Sequence, residues 1–475
     1  MIKKIIFLEP KSDKLHIYSK FELPRLGNII LATIMKKKNY DVKAYFLKES
    51  EIYNRFDSNL TVDLVAISTI TPTALVSYRV ADYFRSKGIK VVIGGLHVTF
   101  QPKEALEHAD FCIMGEGEKA LPMLVDALNN QISLKEVPGL AWKDDHKGII
   151  INEIARPVDN LDSIPYSDFT LLDTGDKVMG IGNNATKQTI PIQTSRGCPY
   201  GCTFCSVTAM FGRRFRYRSI QNIIEEMKKY NPKKQTIFFY DDNFTSNVKR
   251  TKELLREIIR LKLNFSWSTQ VRVDVAKDSE LLDLMVKAGC KLLYIGFESV
   301  DPEALKEMKK SQTVEEIKWA IKEIRKRGIH IHGMFVFGFD VDTLQTTRAC
   351  VDFAIKEKID TVQFIILTPF PGTELYSRME DENRIIDYQW DQYDGHHVKF
   401  IPKKMSVWEL QQAQIEAHKR FYAIKHVISR LLRRRFWAFL IGIYANRLNR
   451  KWIKWEKTYL EGIKNFSGIK EVPTV

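Results

Sequence analysis

Three cysteines lie close together near the middle of the chain, at a spacing that suits a metal cluster. Cys198, Cys202 and Cys205 form the pattern Cys-x3-Cys-x2-Cys directly after the apolar run Thr189–Thr194. Cubane iron–sulfur clusters are usually held by four thiolates, so a compact set of three leaves one iron free to bind another molecule. An open metal position is typical of a catalytic site. The pattern therefore predicts an iron–sulfur centre that takes part in a reaction.

Two other uses of these cysteines have less support in the sequence. A structural zinc site normally has four ligands, often as two separated pairs, and no second pair of Cys or His follows closely. A disulfide framework is disfavoured because the chain has only 6 cysteines in 475 residues and because Met1–Glu9 reads as a first strand rather than a secretory signal. Cys112, Cys290 and Cys350 lie in apolar or helical contexts and are predicted to be core residues.

Composition and charge bound the class of protein. The chain is 44% hydrophobic and 28% charged, as in ordinary globular proteins, and its length allows two or three domains. The net charge is +15, of which +10 falls in residues 411–475. We find no apolar run long enough for a spanning helix, and free thiols with an oxygen-sensitive cluster suit a reducing cytoplasm. We therefore expect a cytoplasmic globular protein with a basic C-terminal region.

The elements that must position the cysteines alternate between strands and helices. In the first 130 residues the strand candidates are Ile5–Leu8, Val42–Leu47, Leu64–Ser68, Val91–Ile93 and Phe111–Met114. The helix candidates between them are Leu26–Lys38, Leu75–Lys87 and Lys119–Leu128. This alternation predicts βαβ units around a parallel sheet, an α/β fold. A connector with a hairpin, Leu140–Lys143 and Ile149–Asn152, follows.

Strand–helix alternation resumes after about residue 186. Six strands are predicted, at Thr189–Thr194, Thr236–Tyr240, Phe265–Thr269, Lys291–Gly296, His330–Phe337 and Thr361–Leu367. The helices between them are predicted at Ile220–Tyr230, Val248–Leu261, Ser279–Ala288, Val314–Arg327 and Ala349–Lys356. Catalytic loops of such β/α barrels lie at the carboxyl ends of strands. The three cysteines occupy that position after the first strand.

The cysteine pattern, with aromatic Phe204 before the last cysteine, resembles the signature of the radical S-adenosylmethionine (SAM) enzymes. The resemblance implies a partial (β/α)6 TIM-type barrel and a [4Fe–4S] cluster on the three cysteines. It also implies that SAM chelates the open iron and is cleaved to a 5′-deoxyadenosyl radical. Helix capping is an equal alternative for Asp241 and Asp242. For Arg272 a structural ion pair with Asp274 or another carboxylate is a competing interpretation. Residues at strand ends that match family positions for SAM are Phe204, Tyr240, Asp241, Gln270, Arg272, Glu298, Ser299 and Gly333.

The loops of the first part resemble those of the Rossmann-like cobalamin-binding domain that precedes the barrel in one large radical SAM class. Glycine in such loops allows a close approach of the backbone to a ligand. The Asp-x-His-x-x-Gly run that supplies histidine to cobalt in many B12 enzymes is absent, so we expect no protein imidazole on cobalt. His97, the only histidine in these loops, is interpreted as a loop or outer-shell group. By resemblance the cobalamin loops contain Ser68, Thr69, Gly94, Gly95, His97, Gly115, Glu116 and Gly117.

The C-terminal region combines basic and aromatic residues on predicted helices, Val407–Lys419 and Phe421–Arg434. Arg433–Arg435 adjoin the apolar run Phe436–Tyr444, and Trp452 and Trp455 lie among further Lys and Arg. Basic, Trp-rich helices suit the interface of an anionic membrane. A helical lid with a solvated basic face is an equal alternative, and nucleic acid binding is a weaker third.

These observations favour four regions, 1–130, 131–185, 186–385 and 386–475: a cobalamin-binding domain, a connector, the radical SAM barrel and a helical region. The run Trp390–Val398 also resembles relatives that act on lipids and tetrapyrroles. The resemblance implies a cobalamin-dependent methyltransferase that attacks an unactivated carbon of an apolar isoprenoid lipid or tetrapyrrole. It also implies an electron donor such as flavodoxin or ferredoxin and allows peripheral contact with the inner face of the membrane.

Three other functions remain open at this point. The first is a radical SAM enzyme that makes cyclisations, ring contractions or C–C couplings without methyl transfer. The second is tRNA methylthiolation, which we discount because that family usually has three further cysteines in its N-terminal domain, where this chain has only Cys112. The third is a non-enzymatic iron–sulfur protein, which would need no open iron.

Overall fold

The computed structural model describes residues 1–12, 23–57, 61–173 and 187–466. Its first unit is a sheet flanked by helices. The strands are β1 Lys4–Lys11, β2 Asp41–Lys48, β3 Leu64–Ser68, β4 Lys90–Gly94, β5 Phe111–Ile113, β6 Leu140–Asp144, β7 Gly148–Ile151 and β8 Leu172–Asp173. The helices are α1 Leu26–Lys37, α2 Glu49–Arg55, α3 Ala74–Ser86, α4 Leu96–Phe100, α5 Pro102–Ala105 and α6 Gly117–Leu128.

The five strands predicted in this unit are all present, and their order explains where a ligand binds. The sheet runs β7-β6-β5-β4-β3-β1-β2-β8, and β2, β1, β3, β4 and β5 are parallel neighbours. The chain order therefore reverses between β1 and β3. In open α/β sheets ligands bind at the carboxyl ends of the strands beside such a reversal. This rule directs attention to the loop that follows β3.

The predicted hairpin forms β6 and β7, and it extends the first sheet rather than standing apart from it. Strand β6 pairs antiparallel with β5, with Cys112 opposite Ala141. The first sheet thus continues past residue 130, while the four-region division itself stays a prediction. The last part of the connector, from residue 174 and including Gly180–Asn184, lies outside the described residues.

The second unit is a six-stranded, all-parallel sheet, so the predicted partial barrel and the α/β class are confirmed. Its order is β16-β15-β14-β13-β12-β9. The strands after the connector are β9 Gln188–Ile192, β10 Ser195–Arg196, β11 Arg216–Tyr217, β12 Gln235–Phe239, β13 Trp267–Val271, β14 Cys290–Glu298, β15 His330–Phe337 and β16 Thr361–Ile366. The helices are α7 Ser206–Phe211, α8 Ile220–Met227, α9 Val248–Arg260, α10 Ser279–Lys287, α11 Pro302–Glu307, α12 Val314–Lys326 and α13 Leu344–Lys356.

Local sequence signals account for most of these limits. Helix α9 begins after Asn247, whose side chain accepts a hydrogen bond from the Arg250 N–H, as N-cap residues do. Its buried residues recur at helical spacing against the sheet. Strand β13 starts at Trp267, two residues later than predicted from the apolar run at Phe265. The short elements α7, β10 and β11, which frame the cysteine loop, have too few residues to give a periodic signal.

Helices at the C-terminus close the open edge of the barrel sheet. The Tyr422 hydroxyl accepts a hydrogen bond from the Val362 N–H and donates one to the Val362 carbonyl, while the Gln414 side chain donates to the Phe364 carbonyl. An open strand edge is a hazard that proteins cover, and the helix that contains Gln414 covers β16. The lid interpretation is therefore supported for this part. The helices are α14 Glu374–Asp381, α15 Val407–Phe421, α16 Ile424–Leu432, α17 Phe436–Trp455 and α18 Lys457–Lys464.

The run Trp390–Val398 joins the three parts of the molecule. The Trp390 indole donates to the Glu104 carboxylate of the first unit at 2.8 Å. His397 is fully buried, with Nδ1 3.0 Å from Asp394 Oδ1 and Nε2 3.4 Å from Glu456 Oε2. Burial acts to lower the pKa of His397, but the two carboxylates overcome it and raise the pKa to about 9. This motif is thus part of the structural framework.

We predict that this buried imidazolium makes stability fall as pH rises. A His pKa that is raised on folding contributes stability that is complete below the unfolded pKa of 6.5 and is lost as pH passes about 9. The difference between the folded and unfolded pKa values corresponds to roughly 3 kcal/mol of stability, at about 1.4 kcal/mol per pKa unit. The free energy of unfolding in urea, measured between these pH values, should fall with rising pH in the wild type. It should fall less in His397→Gln, and in the exposed control His146→Gln it should depend on pH as in the wild type. Parallel profiles for wild type and His397→Gln would contradict the prediction.

The apolar cores and the helix lengths complete the fold. One core lies under α1 and α6 on one face of the first sheet, and a larger one continues from the other face into the barrel and C-terminal helices. Within the described ranges, no helix combines the length and the apolar character needed to cross a bilayer.

Candidate functional site

A cleft of about 1410 Å³ of empty space, part of it open to solvent, separates the carboxyl ends of the first sheet from the cysteine loop. The loops of the first unit line one wall, and α7 lines another with Val207, Met210 and Phe211. Tyr240 and Asp242, at the end of β12, also face it. The predicted cobalamin residues that line this cleft are Ser68, Thr69, Gly94, Gly95, Gly115, Glu116 and Gly117. Of the predicted SAM residues Tyr240 lines the cleft, and Arg196 and Val207, which flank the cysteine loop, also reach it, so the cleft lies beside that loop.

The close approach of backbone in this wall requires glycine at one position. Gly95 has φ +112°, and a Cβ atom built there would lie 2.3 Å from the Thr69 carbonyl oxygen. Neither the backbone angle nor the space accepts an L side chain. The loops after β3 and β4 are thus held together without side chains between them, which leaves the cleft open. A large flat cofactor fits such a wall.

His97 does not line the cleft. Its ring is fully buried, with Nδ1 3.3 Å from the Thr71 hydroxyl and its plane edge-on to Trp390 at a centroid distance of 5.0 Å. Its Nε2 lies 3.7 Å from the Glu104 carboxylate. These contacts fit the outer-shell role rather than a bond to cobalt, and the expectation of no protein imidazole on cobalt stays a prediction.

The three cysteine thiols are free and partly buried at the mouth of the barrel. Burial raises the pKa of Cys198 and raises that of Cys205 to about 11, although nearby backbone N–H groups of Tyr200, Val207 and Thr208 oppose the shift. N–H groups aimed at sulfur stabilise thiolates, so the donor set suits a cluster that replaces the protons. In the described part of the chain no three metal-binding side chains converge on one ion. A cubane has no such requirement, because each thiolate binds a different iron.

Asp241 anchors the start of the cysteine loop. Its buried carboxylate accepts hydrogen bonds from the backbone N–H groups of Thr194 and Ser195, at 2.6 and 3.1 Å, and from both hydroxyls. Burial raises the pKa of Asp241 although these bonds oppose it. The side chain therefore has no open face toward a cofactor, and it caps no helix. Neither of the two interpretations from the sequence describes it.

Asp242, the next residue, faces the cleft itself. Burial, reinforced by the Asp241 carboxylate, raises the pKa of Asp242 to about 7. Tyr240, on the same side, has its pKa raised to about 12 by burial. Both groups therefore lose their protons less readily than in water, and Asp242 can change its protonation near neutral pH. Both residues are placed to contact a molecule in the cleft.

Arg272 lies against the cysteine loop from the end of β13. Its guanidinium carbon is 3.7 Å from the centroid of the Tyr200 ring, and the Tyr200 hydroxyl donates to Asp274 at 2.8 Å. Arg272 donates to the Lys310 carbonyl and makes only a loose ion pair with Asp274, at 3.9 Å. Its buried Nε has no hydrogen-bond partner among the described residues. Such a donor beside the cluster loop suits an anionic group such as the SAM carboxylate.

The remaining predicted SAM residues do not all converge. Glu298 has φ +62° at a bulge in β14 and pairs with Lys310 at 2.6 Å. Ser299 accepts a hydrogen bond from the Asp301 N–H at 3.0 Å. Of the others, Gly333 packs beneath the Phe297 ring, Phe204 contacts Phe339 at a centroid distance of 5.8 Å, and Gln270 is half-buried at the end of β13.

The structure adds an ion-pair network that the sequence did not reveal, which we call the interdomain latch: Glu116, Glu118, Arg196 and Arg216. Glu116 pairs with Arg216 at 2.6 Å and with Arg196 at 3.0 Å, and Glu118 pairs with Arg196 at 2.8 Å. All four side chains are nearly buried. Arg196 immediately precedes the cysteine loop, so the latch ties that loop to the cobalamin-side wall. The only sequence signal was the acidic pair Glu116 and Glu118 in a glycine-rich turn.

We predict that Glu116 stabilises the protein even without cofactors. Removing one partner of a buried ion pair costs about 3–5 kcal/mol, because the other charges stay buried. Urea unfolding of cofactor-free Glu116→Gln should show a loss in this range, whereas the exposed Glu107→Gln should unfold like the wild type. If Glu116 were only a cofactor contact, the cofactor-free variant would be as stable as the wild type.

Models of three protein families match parts of this chain. Residues 192–354 match the radical SAM superfamily, residues 15–125 match the B12 binding domain, and residues 373–458 match a domain of unknown function. Members of the radical SAM superfamily use SAM with an iron–sulfur cluster, and the B12 binding domain binds cobalamin. The cofactors of this enzyme are therefore the iron–sulfur cluster, SAM and cobalamin.

Two relatives cover nearly the whole chain. Bacteriochlorophyllide d C-12(1)-methyltransferase of Chlorobaculum tepidum is 30% identical over 94% of both chains. An uncharacterized methyltransferase of Pyrococcus horikoshii is 32% identical over 89% of this chain and 93% of its own. The radical SAM methyltransferase TsrM of Kitasatospora setae, solved with cobalamin and a [4Fe–4S] cluster, shares the fold. It has a TM-score of 0.65 and 19% identity over 80% of this chain and 75% of its own. The chain therefore belongs to the cobalamin-dependent radical SAM methyltransferases.

Proposed function

We propose that this enzyme methylates an unactivated carbon of an apolar small molecule, a tetrapyrrole or an isoprenoid lipid. The observation that carries the proposal is the cleft, where the cobalamin-side loops lie opposite Arg196 and α7, which flank the cysteine loop. A methyl donor and a hydrogen-abstracting group must reach the same carbon, so their sites must face one space. The tetrapyrrole alternative is supported by the bacteriochlorophyllide relative.

The roles of the side chains follow from their positions. We assign a [4Fe–4S] cluster to Cys198, Cys202 and Cys205, and the SAM carboxylate to Arg272. When bound, the cluster and SAM supply a radical that removes hydrogen, and cobalamin supplies the methyl group. The protein positions these groups and excludes water, with Asp241 fixing the cysteine loop. The four-region division and an electron donor such as flavodoxin or ferredoxin belong to the same proposal.

The apolar character of the cleft supports the substrate class. The helix after the cysteine loop contributes Val207, Met210 and Phe211 to the wall, and the first unit contributes Leu26, Ile30 and Leu31 among others. Apolar walls with few polar groups favour ligands of the same kind. A highly charged substrate would gain little from them.

The test is an anaerobic reaction with reconstituted enzyme, hydroxocobalamin, a chemical reductant and SAM with an isotope-labelled methyl group. Magnesium tetrapyrroles and isoprenoid lipids are offered separately. Label appearing on carbon, with 5′-deoxyadenosine and S-adenosylhomocysteine formed together, supports the proposal. Deoxyadenosine with an unlabelled, cyclised product would replace it with ring formation.

We also propose peripheral contact with the inner face of the membrane through α16 and the start of α17. Leu432 is 80% exposed, Ile424 65% and Phe436 60%, and together they form an apolar surface. Basic residues accompany them at Arg433–Arg435. Apolar side chains flanked by basic ones favour the interface of an anionic bilayer, where an apolar substrate is also found.

A further inference from the structure

A second cleft, far along the chain from the cysteine loop, lies between α13 and α16 and holds about 710 Å³ of empty space. We call it the α16 cleft. Its floor is apolar, and its polar lining is almost entirely basic. The lining residues are Ala354, Ile355, Lys358, Ile359, Phe421, His426, Ser429, Arg430, Leu432 and Arg433. None of them is acidic.

Arg430 places a buried positive charge directly behind the lining of this cleft. The side chain is only 2% exposed and stacks on the rings of Phe421 and Tyr422, at 4.6 and 5.1 Å from their centroids. Its Nη2 donates to the Phe421 carbonyl, while Nη1, which has no hydrogen-bond partner in the described part of the chain, is packed against Gly442 of α17. A buried guanidinium without a carboxylate is costly. An anion in the cleft would offset that cost.

The other basic groups add to the uncompensated charge. Arg433 donates only to neutral oxygens, those of Ser429 and the Lys358 carbonyl. Burial and neighbouring cations lower the pKa of Arg433 and of His426. The nearby Asp360 is already engaged by Arg435 at 3.5 Å and by His330 at 3.6 Å. The cleft thus collects positive charge that Asp360, which is shared with Arg435 and His330, offsets only in part.

The position of the cleft indicates which anion it takes. Leu432 forms part of its lining and is also 80% exposed, so the cleft opens directly onto the apolar surface of α16. Ile424 and Ile428 lie on the same helix and are exposed at 65% and 48%. A free phosphate would contact only the basic groups of the cleft, whereas a phospholipid would contact these groups and also the exposed apolar side chains of α16. Charge complementarity and the adjoining apolar surface together favour the lipid.

We propose that the α16 cleft binds the phosphate of an anionic phospholipid whose acyl chains contact the exposed apolar side chains of α16. This inference rests on the proposed membrane contact and specifies its binding site. Lys358 and Arg433 are the test positions, because both reach the cleft from its rim while Arg430 is part of the packing. The double variant is Lys358→Gln with Arg433→Gln.

The measurement is co-sedimentation of the holoenzyme with phosphatidylcholine vesicles, with and without phosphatidylglycerol. Each basic side chain near an anionic surface contributes about a fivefold affinity gain. The double variant should therefore bind the anionic vesicles about 30-fold more weakly than the wild type. The control Lys36→Gln with Lys37→Gln, exposed at the end of α1, should bind within about twofold of the wild type.

The outcomes separate this inference from the membrane proposal. If Leu432→Ser with Phe436→Ser loses vesicle binding while the cleft variant binds like the control, the membrane contact stands and the cleft assignment falls. If wild-type enzyme binds neither vesicle, both fall. Wild-type enzyme that binds inorganic phosphate but sediments equally with neutral and anionic vesicles, or that binds RNA in place of vesicles, would also overturn the lipid assignment. Equal thermal unfolding of all variants shows that folding is unaffected.

Discussion

Replacing any one of Cys198, Cys202 and Cys205 by alanine should abolish reductive cleavage of SAM. With two thiolates the loop cannot hold a cubane and also leave a defined open iron, so the electron transfer to SAM has no path. Loss of an outer-shell partner of a metal site typically costs 10- to 100-fold, so loss of a ligand should exceed about 100-fold. The readouts are 5′-deoxyadenosine formed under a chemical reductant, iron per chain, and the electron paramagnetic resonance spectrum of the reduced protein.

The matched control is Cys290→Ala. Cys290 begins β14, is buried, and has its pKa raised by burial, as expected of a core thiol. The Cys290→Ala protein should bind the wild-type amount of iron and cleave SAM at the wild-type rate. Retained cleavage in any single variant of the triad would remove that cysteine from the assignment. Loss of cleavage with iron fully retained would instead point to a misplaced SAM.

The cysteine site could be proposed from the sequence because its signal is local. The three cysteines lie within eight residues, and the strand before them is marked by an apolar run. The parallel strands were predictable for the same reason, since buried strands of α/β sheets are continuous apolar runs. The topology then predicted where the loops after these strands lie, because the loops at the carboxyl ends of parallel strands are all at the same edge of the sheet.

The functions of individual polar side chains were less predictable, because they depend on contacts between distant parts of the chain. Glu116 and Arg216 are 100 residues apart in sequence, yet they form one buried ion pair. Asp241 has the residue type of a cofactor ligand, but Thr194 and Ser195 occupy its oxygens. His97 belongs to a cofactor loop by position and packs against Trp390 instead. No local pattern encodes these pairings.

Filling the cobalamin-side wall should separate radical formation from methyl transfer. Gly94 lines the cleft, and a Cβ atom built there meets only Ile113, at 3.5 and 3.9 Å, which is ordinary contact. The backbone therefore tolerates a side chain at Gly94, in contrast to Gly95. A leucine at this position would occupy space that the cofactor needs, and overpacking costs about 1–3 kcal/mol. Gly94→Leu should therefore bind cobalamin about 5- to 150-fold more weakly.

The decisive readout is the ratio of two products at limiting cobalamin. In Gly94→Leu, transfer of labelled methyl to substrate should fall with the bound cobalt, while iron content and deoxyadenosine formation stay near wild type. Gly94→Ala is the matched control, because its single added carbon has room and should leave both products unchanged. A Gly94→Leu protein that keeps its cobalt would place the cofactor elsewhere. One that loses iron as well as cobalt would show instead that the two walls fold as a single unit, since the interdomain latch joins them at Glu116 and Arg196.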